Sequence, residues 1–306
     1  MEQPLPPYLS CNLGSINLNH KDFFVNGEFD YDELERVIRR TTIFLDNVGT
    51  TNTFPNDKFK NKYEQFRPIG LGIMGYADLL LKMKLAYGSQ DALDLLAKIL
   101  DKIQQVSYNE SEMLGRLRGV PEKCIHVNRR NITCQSIAPT GSISHIANLL
   151  GGGCEPIFSG SFTRIDERGQ TYYISHEDND KEYFRSVIGP KSVSIDEHIN
   201  TQAVAQQYVD SGVSKTINLP NDATVEDVYQ GFIKAWKLGC KGITVYRDGS
   251  RTSQVLNNGT EIKKKFSELN PTNLNTSKCG CDNSNVVFAE GCEHCTNCGW
   301  SACSIG

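Results

Sequence analysis

Ser214-Lys-Thr-Ile-Asn-Leu219, followed by Thr224 and a helical run to about 239, and then Ile243-Thr-Val-Tyr-Arg247, is the stretch that decides the fold. Its first and last pieces read as strands. Thr224 is placed to cap the helix between them, and Gly239 or Gly242 can end it. Strand, helix, strand over so short a span is a βαβ crossover, which requires the two strands to run parallel. The expected class is therefore α/β.

Working outward toward the N-terminus, residues 132–138 (ITCQSIA) read as a buried strand. It breaks at Pro139-Thr140-Gly141-Ser142, where the chain can turn into a helix. Ser89 is placed to cap a helix whose apolar stripe runs Leu93, Leu96, Leu100, Ile103 and Val106. A further helix is expected within 72–85. Asp30 followed by Glu33 resembles a capping arrangement ahead of Leu34, Val37, Ile38, Phe44, Leu45 and Val48. Residues 1–20 are turn-rich, with no clear helix.

Toward the C-terminus the character changes. Residues 251–278 are rich in Asn, Thr, Ser and Lys and lack a durable apolar period, so they read as a flexible linker. A cysteine-rich module, 279–306, follows. Of the eleven cysteines, Cys11, Cys124, Cys134, Cys154 and Cys240 are scattered, and six crowd into the last 28 residues. Scattered cysteines in a reducing compartment are usually small buried hydrophobes, whereas a terminal cluster usually holds metal or does redox work. Cys279-x-Cys281 and Cys295-x-x-Cys298 have the form of two zinc-ribbon knuckles, because zinc takes four thiolates in a tetrahedron. The first knuckle is one residue short of the usual spacing. Cys292 and Cys303 are then spare thiols suited to disulfide exchange, although a structural ribbon with inert spare thiols is the competing reading.

The chain has 306 residues, 39% apolar, with 32 basic against 36 acidic side chains and net charge −4. That balance argues against a general nucleic-acid or anionic-membrane surface. No apolar run approaches the roughly 20 residues of a membrane span, and the start has no signal-peptide pattern. A cytoplasmic protein is expected. At Pro139–Ile143, free backbone N–H groups and the hydroxyls of Thr140 and Ser142 could cradle a phosphate, but short Gly/Ser turns are common without one. His145, His176 and His198 have no partner at metal spacing and read as ordinary satisfied histidines. Glu2 and Cys11 carry no signal in isolation.

Several stretches together resemble class II, adenosylcobalamin-dependent ribonucleotide reductase. They are Glu2-Gln-Pro-Leu with Ser10-Cys11-Asn-Leu-Gly-Ser-Ile-Asn17, Arg67-Pro-Ile-Gly-Leu-Gly-Ile-Met-Gly75, and Ile137-Ala-Pro-Thr-Gly-Ser-Ile-Ser144. Val213-Ser-Lys-Thr-Ile-Asn-Leu-Pro220, Leu238-Gly-Cys-Lys-Gly-Ile-Thr-Val-Tyr-Arg-Asp-Gly249 and the cysteine tail follow in the family's order. The resemblance leaves out parts of 150–210 and the linker. It implies a ten-stranded α/β barrel, of which this chain would be the second half (residues 1–250), plus the zinc-ribbon-like module. The family's radical cysteine precedes the position of Glu2, so the resemblance implies a chain that is inactive alone and joins an N-terminal half.

By the same resemblance, Glu2 is the general base on the ribose 3′-hydroxyl and Cys11 one of two thiols that reduce the 2′ carbon and become a disulfide. Ser10, Pro139, Thr140, Gly141, Ser142 and Ile143 bind a ribonucleoside di- or triphosphate. Cys292 and Cys303 form the redox tail served by a thioredoxin-like reductant, and Cys279, Cys281, Cys295 and Cys298 hold structural zinc. Adenosylcobalamin is the implied radical source, and deoxyribonucleotide supply for DNA synthesis the implied role. Class I relatives use two adjacent tyrosines where this chain has Tyr246-Arg247; Tyr172-Tyr173 stands in another context. A class I large-subunit segment with a radical-generating partner is thus the second enzymatic reading. A non-catalytic zinc-ribbon binding module is the third.

Overall fold

The computed structural model describes residues 2–165, 171–175, 178, 181–250, 256–257, 286–289 and 292–295; for 161–165, 171–175 and everything beyond 250 it describes the backbone alone. In chain order the elements are β1 (Asn12–Asn17), β2 (Phe24–Val25), β3 (Glu28–Phe29), α1 (Tyr31–Thr51), α2 (Asp57–Phe66), β4 (Ile69–Met74), α3 (Tyr76–Met83) and α4 (Gln90–Arg118). Then come α5 (Gly141–Ile146), β5 (Ser161–Ile165), β6 (Thr171–Ser175), α6 (Ile195–Gln207), β7 (Thr216–Leu219), α7 (Val225–Lys237), β8 (Thr244–Arg247), β9 (Leu256–Asn257), β10 (Val286–Ala289) and β11 (Cys292–Cys295).

The chain divides into two units: residues 1–160 with 177–252, and residues 161–176 with 253–306. In the first, parallel segments stand side by side. β1 pairs with β4 from Asn12↔Ile69 to Asn17↔Met74. Beyond β4 lies the 133–137 segment, joined by the parallel bridge Leu71↔Gln135 and by Ile69 N–H to Thr133 O (3.0 Å) and Leu71 N–H to Cys134 O (2.8 Å). Ile137 bridges Val213 in turn, and β7 pairs in parallel with β8 from Thr216↔Thr244. The crossover between β7 and β8 is α7, so the expected βαβ unit forms. Thr224 caps α7, with Asp227 returning the bond in a capping box.

Helices α1 and α4 lay their apolar stripes against these strands. Leu34, Ile38 and Leu45 of α1 and Leu96, Leu100 and Ile103 of α4 share one core with Ile69, Leu71 and Ile73 of β4. Asp30 and Ser89 cap the two helices as expected, each accepting first-turn N–H bonds. β4 is buried on both faces: Ile69, Leu71 and Ile73 carry buried side chains on one, and Gly70 and Gly72 leave the other as bare backbone. Gly72 makes that possible: a Cβ there would stand 2.2 Å from the Ser136 carbonyl oxygen.

Several expectations change. The helix expected within 72–85 begins only at Tyr76, because β4 runs to Met74 and Gly75 turns the chain with φ 73°. Residues 12–17, read as turns, are a strand, and α2 and α6 carry no counterpart in the sequence reading. α7 buries Gly231 and Ala235 but leaves Val225, Tyr229, Phe232 and Trp236 exposed.

In the second unit β5 pairs antiparallel with β6 and with β9, and β10 pairs antiparallel with β11 from Val286↔Cys295 to Ala289↔Cys292. The expected zinc-ribbon module is corrected here. Among the described residues no group of three or more His, Cys, Asp or Glu is placed to hold a metal, so zinc is not assigned. Cys279, Cys281, Cys298 and Cys303 lie outside the described residues, and Cys292 and Cys295 are described only as backbone at the two ends of β11. The linker expected over 251–278 also lies outside them, apart from β9.

Candidate active site

Glu2 is attached to the middle of the parallel segments through its backbone. Its carbonyl oxygen accepts the Ser136 hydroxyl (2.9 Å) and the Gly212 N–H (2.9 Å). The Gln3 side chain lies over β4, where a Cβ on Gly70 would meet its Nε2 at 2.9 Å. The Glu2 carboxyl is held below the ordinary carboxylate range. Partial burial raises it, and a hydrogen bond from its own backbone N–H lowers it. It is therefore ionised at neutral pH, the state a base requires.

Pro139–Ile143 leaves the C-terminal end of the 133–137 segment and enters α5. Pro139, Gly141, Ser142 and Ile143 are exposed, and the first-turn N–H groups of α5 lack intrahelical acceptors. Thr140 differs from expectation. It is buried, and its hydroxyl is used inside the protein, accepting the Gly153 N–H at 2.7 Å and pairing with Ser144 Oγ at 2.8 Å. Its φ of 56° is a left-handed conformation that a β-branched residue rarely adopts. Such strain costs on the order of 1–3 kcal/mol and persists only where the surroundings enforce it.

Cys11 stands just before β1, at the opposite end of the parallel segments from the Pro139–Ile143 turn, with Ser10 half-buried beside it. It is a free thiol. Burial pushes its pKa up to about 12, so at neutral pH it is a thiol and not a thiolate. Cys124, Cys134 and Cys154 are free and buried.

Behind the Thr140 turn lie residues the sequence did not mark. Asp78 of α3 accepts the N–H groups of Leu150 and Gly151 at 3.0 Å each. Glu155 accepts Lys215 Nζ and the Thr216 N–H at 2.5 Å each, and the buried Lys215 also donates to His198 Nδ1 at 2.7 Å. Burial first, and then the Lys215 charge, push the His198 pKa down to about 2, so the ring is neutral. The one trace of this support in the sequence is the run Gly151-Gly-Gly153, which falls in the part the resemblance passed over.

The decisive comparison is with the family described as "Ribonucleotide reductase, barrel domain", whose model matches residues 1–126 and 126–246. The chain belongs to that family. It is 38% identical over 304 residues to the vitamin B12-dependent ribonucleoside-diphosphate reductase of Thermoplasma acidophilum, covering 87% of this chain and 39% of that protein. It is 37% identical over 290 residues to the protein of the same name from Mycobacterium tuberculosis, covering 83% of this chain and 42% of that one. Among solved structures it is similar to the Actinobacillus ureae class Id ribonucleotide reductase alpha subunit, with TM-score 0.64, 25% identity, and coverage of 78% of this chain and 50% of that chain. The chain thus spans about two fifths of the length of these curated relatives.

This corrects the half-barrel expectation. The barrel-domain model matches residues 1–126 and 126–246, which together are nearly the whole chain. Neither a second half-barrel nor a separate N-terminal half as a required partner is carried forward.

Two grooves open at the C-terminal ends of β7 and β8, one of about 590 Å³ lined in part by Ser194, Asp196, Asn218, Gln230 and Lys234. The other, of about 230 Å³, is lined in part by Phe158, Asn221, Tyr246 and Asp248. Neither presents a set of side chains that identifies a corrin site.

Proposed function

We propose that this barrel domain serves the reduction of ribonucleotides to 2′-deoxyribonucleotides in a B12-dependent reductase of the cytoplasm. The observation that carries the reading is a shared anchor. Ser136 holds the Glu2 backbone at 2.9 Å, three positions before the exposed turn at Pro139. A carboxylate-bearing residue and an exposed turn whose helix-start amides lack intrahelical acceptors therefore hang on one buried segment. Support also comes from the names of the curated relatives, which are vitamin B12-dependent reductases, and from the absence, among the described helices, of one long and apolar enough to cross a membrane.

In this reading the N–H groups of Gly141, Ser142 and Ile143 receive the phosphates of a ribonucleoside di- or triphosphate, as helix starts do for anions. Pro139 and Thr140 shape the turn, and Ser10 flanks the thiol. Glu2 takes the proton of the 3′-hydroxyl. Cys11 supplies one of the two thiols whose two electrons and two protons replace the 2′-hydroxyl, which leaves as water. Cobalamin, when bound, supplies the radical. A thioredoxin-like protein or a small dithiol returns the oxidised thiols to the reduced state, with Cys292 and Cys303 as the carriers.

The test is Glu2→Gln in the active reductase, which keeps the shape of the side chain and removes the base. The rate is expected to fall by about 10²–10⁴-fold with little change in KM. An unchanged chemical step removes Glu2 from the mechanism.

A further inference from the structure

The Thr140 turn is held from behind by a glycine loop, and the loop is held by two carboxylates. A Cβ on Gly152 would stand 2.5 Å from the Pro139 carbonyl oxygen, and one on Gly153 2.7 Å from that of Ala138, so the two backbones are pressed together. Gly153 also has φ 51°, a conformation that favours glycine. From there its N–H reaches the Thr140 hydroxyl at 2.7 Å.

The ends of this loop are fixed independently. At its start both oxygens of the buried Asp78 carboxylate are engaged, Oδ1 by Leu150 N–H and Oδ2 by Gly151 N–H. At its end Glu155 is tied to Lys215 and the Thr216 N–H at the beginning of β7. Lys215 is fully buried, so its charge needs the Glu155 carboxylate close by. None of these groups reaches the exposed amides of Gly141–Ile143. They act on them through Thr140.

We propose that Asp78 and Glu155 are positioning residues that set the phosphate affinity of the Gly141–Ile143 amides; this rests on the reading of that turn as the phosphate site. The Thr140 backbone is strained, and the Gly153 contact opposes its relaxation together with the Ser144 hydroxyl and the Ser144 N–H on the Thr140 carbonyl oxygen. When the loop loosens, Thr140 leaves its left-handed conformation and the amides that follow lose their common direction.

Pyrophosphate titrated into the chain, followed by the backbone amide resonances of Gly141, Ser142 and Ile143, tests this. In the unsubstituted protein those resonances shift and give a dissociation constant. Asp78→Asn retains the shape but turns an N–H-bearing group toward one of the two loop amides. It is expected to raise the dissociation constant about tenfold, the scale of one charge-assisted hydrogen bond. The same dissociation constant with fewer sites occupied shows that Asp78 only supports folding, and overturns the proposal. If Asp78→Asn does not fold, Thr140→Val removes the same contact from its other end, with the same weakening expected. Undiminished affinity in that variant overturns the proposal too. No shift at the turn in the unsubstituted protein removes the phosphate reading itself, an outcome visible before any variant is made.

Discussion

Arg67 closes on Asp46 in the interior, with Nε and Nη2 both on the Asp46 Oδ1 at 3.0 and 2.8 Å and Nη2 also on the Asp46 carbonyl oxygen at 2.8 Å. The same carboxylate receives Arg118 Nη1 at 2.8 Å and Arg130 Nε at 3.0 Å, both on Oδ2. One buried anion thus gathers three guanidinium groups from β4's approach, the end of α4 and the segment before residue 133. Replacing it with Asn leaves buried cations short of their counter-charge. Asp46→Asn is expected to cost about 3–5 kcal/mol, read as a lower denaturation midpoint in urea.

Acid should weaken the same hub. Burial alone would raise the Asp46 pKa, but the charge and hydrogen bonds of Arg67, then of Arg130, hold it below the ordinary aspartate value. A depressed folded-state pKa gives stability that is complete above the unfolded value and is lost as pH falls through the folded one. Stability measured from about pH 5 downward should therefore drop, and Asp46→Asn should remove part of that drop. Equal slopes in the two proteins would place the acid sensitivity elsewhere.

His198 gives a second pH dependence in a separate window. Folded, its pKa is down at about 2; unfolded, it returns to its ordinary value. Between those values the unfolded chain binds one more proton, so stability falls with falling pH by about 1.4 kcal/mol per unit below roughly pH 6. His198→Gln keeps an acceptor for Lys215 and should flatten this slope between about pH 6 and 5, above the Asp46 range. A wild-type slope that survives the substitution contradicts the assignment.

Much of the fold could be read in advance where one short stretch specified it. The βαβ unit was legible because Thr224 and Asp227 cap α7 and the flanking strands are apolar and β-branched. β4 was not, because Gly70, Gly72 and Gly75 look like strand breakers, whereas the first two are there to let neighbouring segments approach. The site divided in the same way. The Pro139–Ile143 turn stood out locally, but the inward use of the Thr140 hydroxyl depends on Gly153, and Lys215 meets Glu155 only through folding. Glu2 and Cys11 enter as candidates by family resemblance alone.

Gly72→Ala tests the close approach directly. The added Cβ would overlap the Ser136 carbonyl oxygen, a backbone atom that can yield only if the 133–137 segment moves. Overpacking of this kind typically costs about 1–3 kcal/mol or more. Since Ser136 lies three positions before the turn proposed to bind phosphate, the proposed nucleotide binding should weaken along with thermal stability. A variant that melts and binds as the wild type does would show that the segments separate freely.

Cys11 should be slow to alkylate. With its pKa pushed up to about 12 by burial, the thiolate fraction at neutral pH is small. Iodoacetamide labelling of Cys11, followed by mass spectrometry, is expected to lag behind that of a small free thiol and to keep accelerating above about pH 10. Rapid labelling at pH 7 would mean that the thiol is not shielded.

The row of parallel segments also governs how this molecule comes to be. Asn12 waits for Ile69, Leu71 for Gln135 and Ile137 for Val213, so none of these neighbours is supplied by an adjacent hairpin. Each pairing closes a long loop before it gains any contact, the situation in which folding is slow. During that time β4 offers bare edges on both sides, and crowding of unfinished chains is the main hazard to their yield.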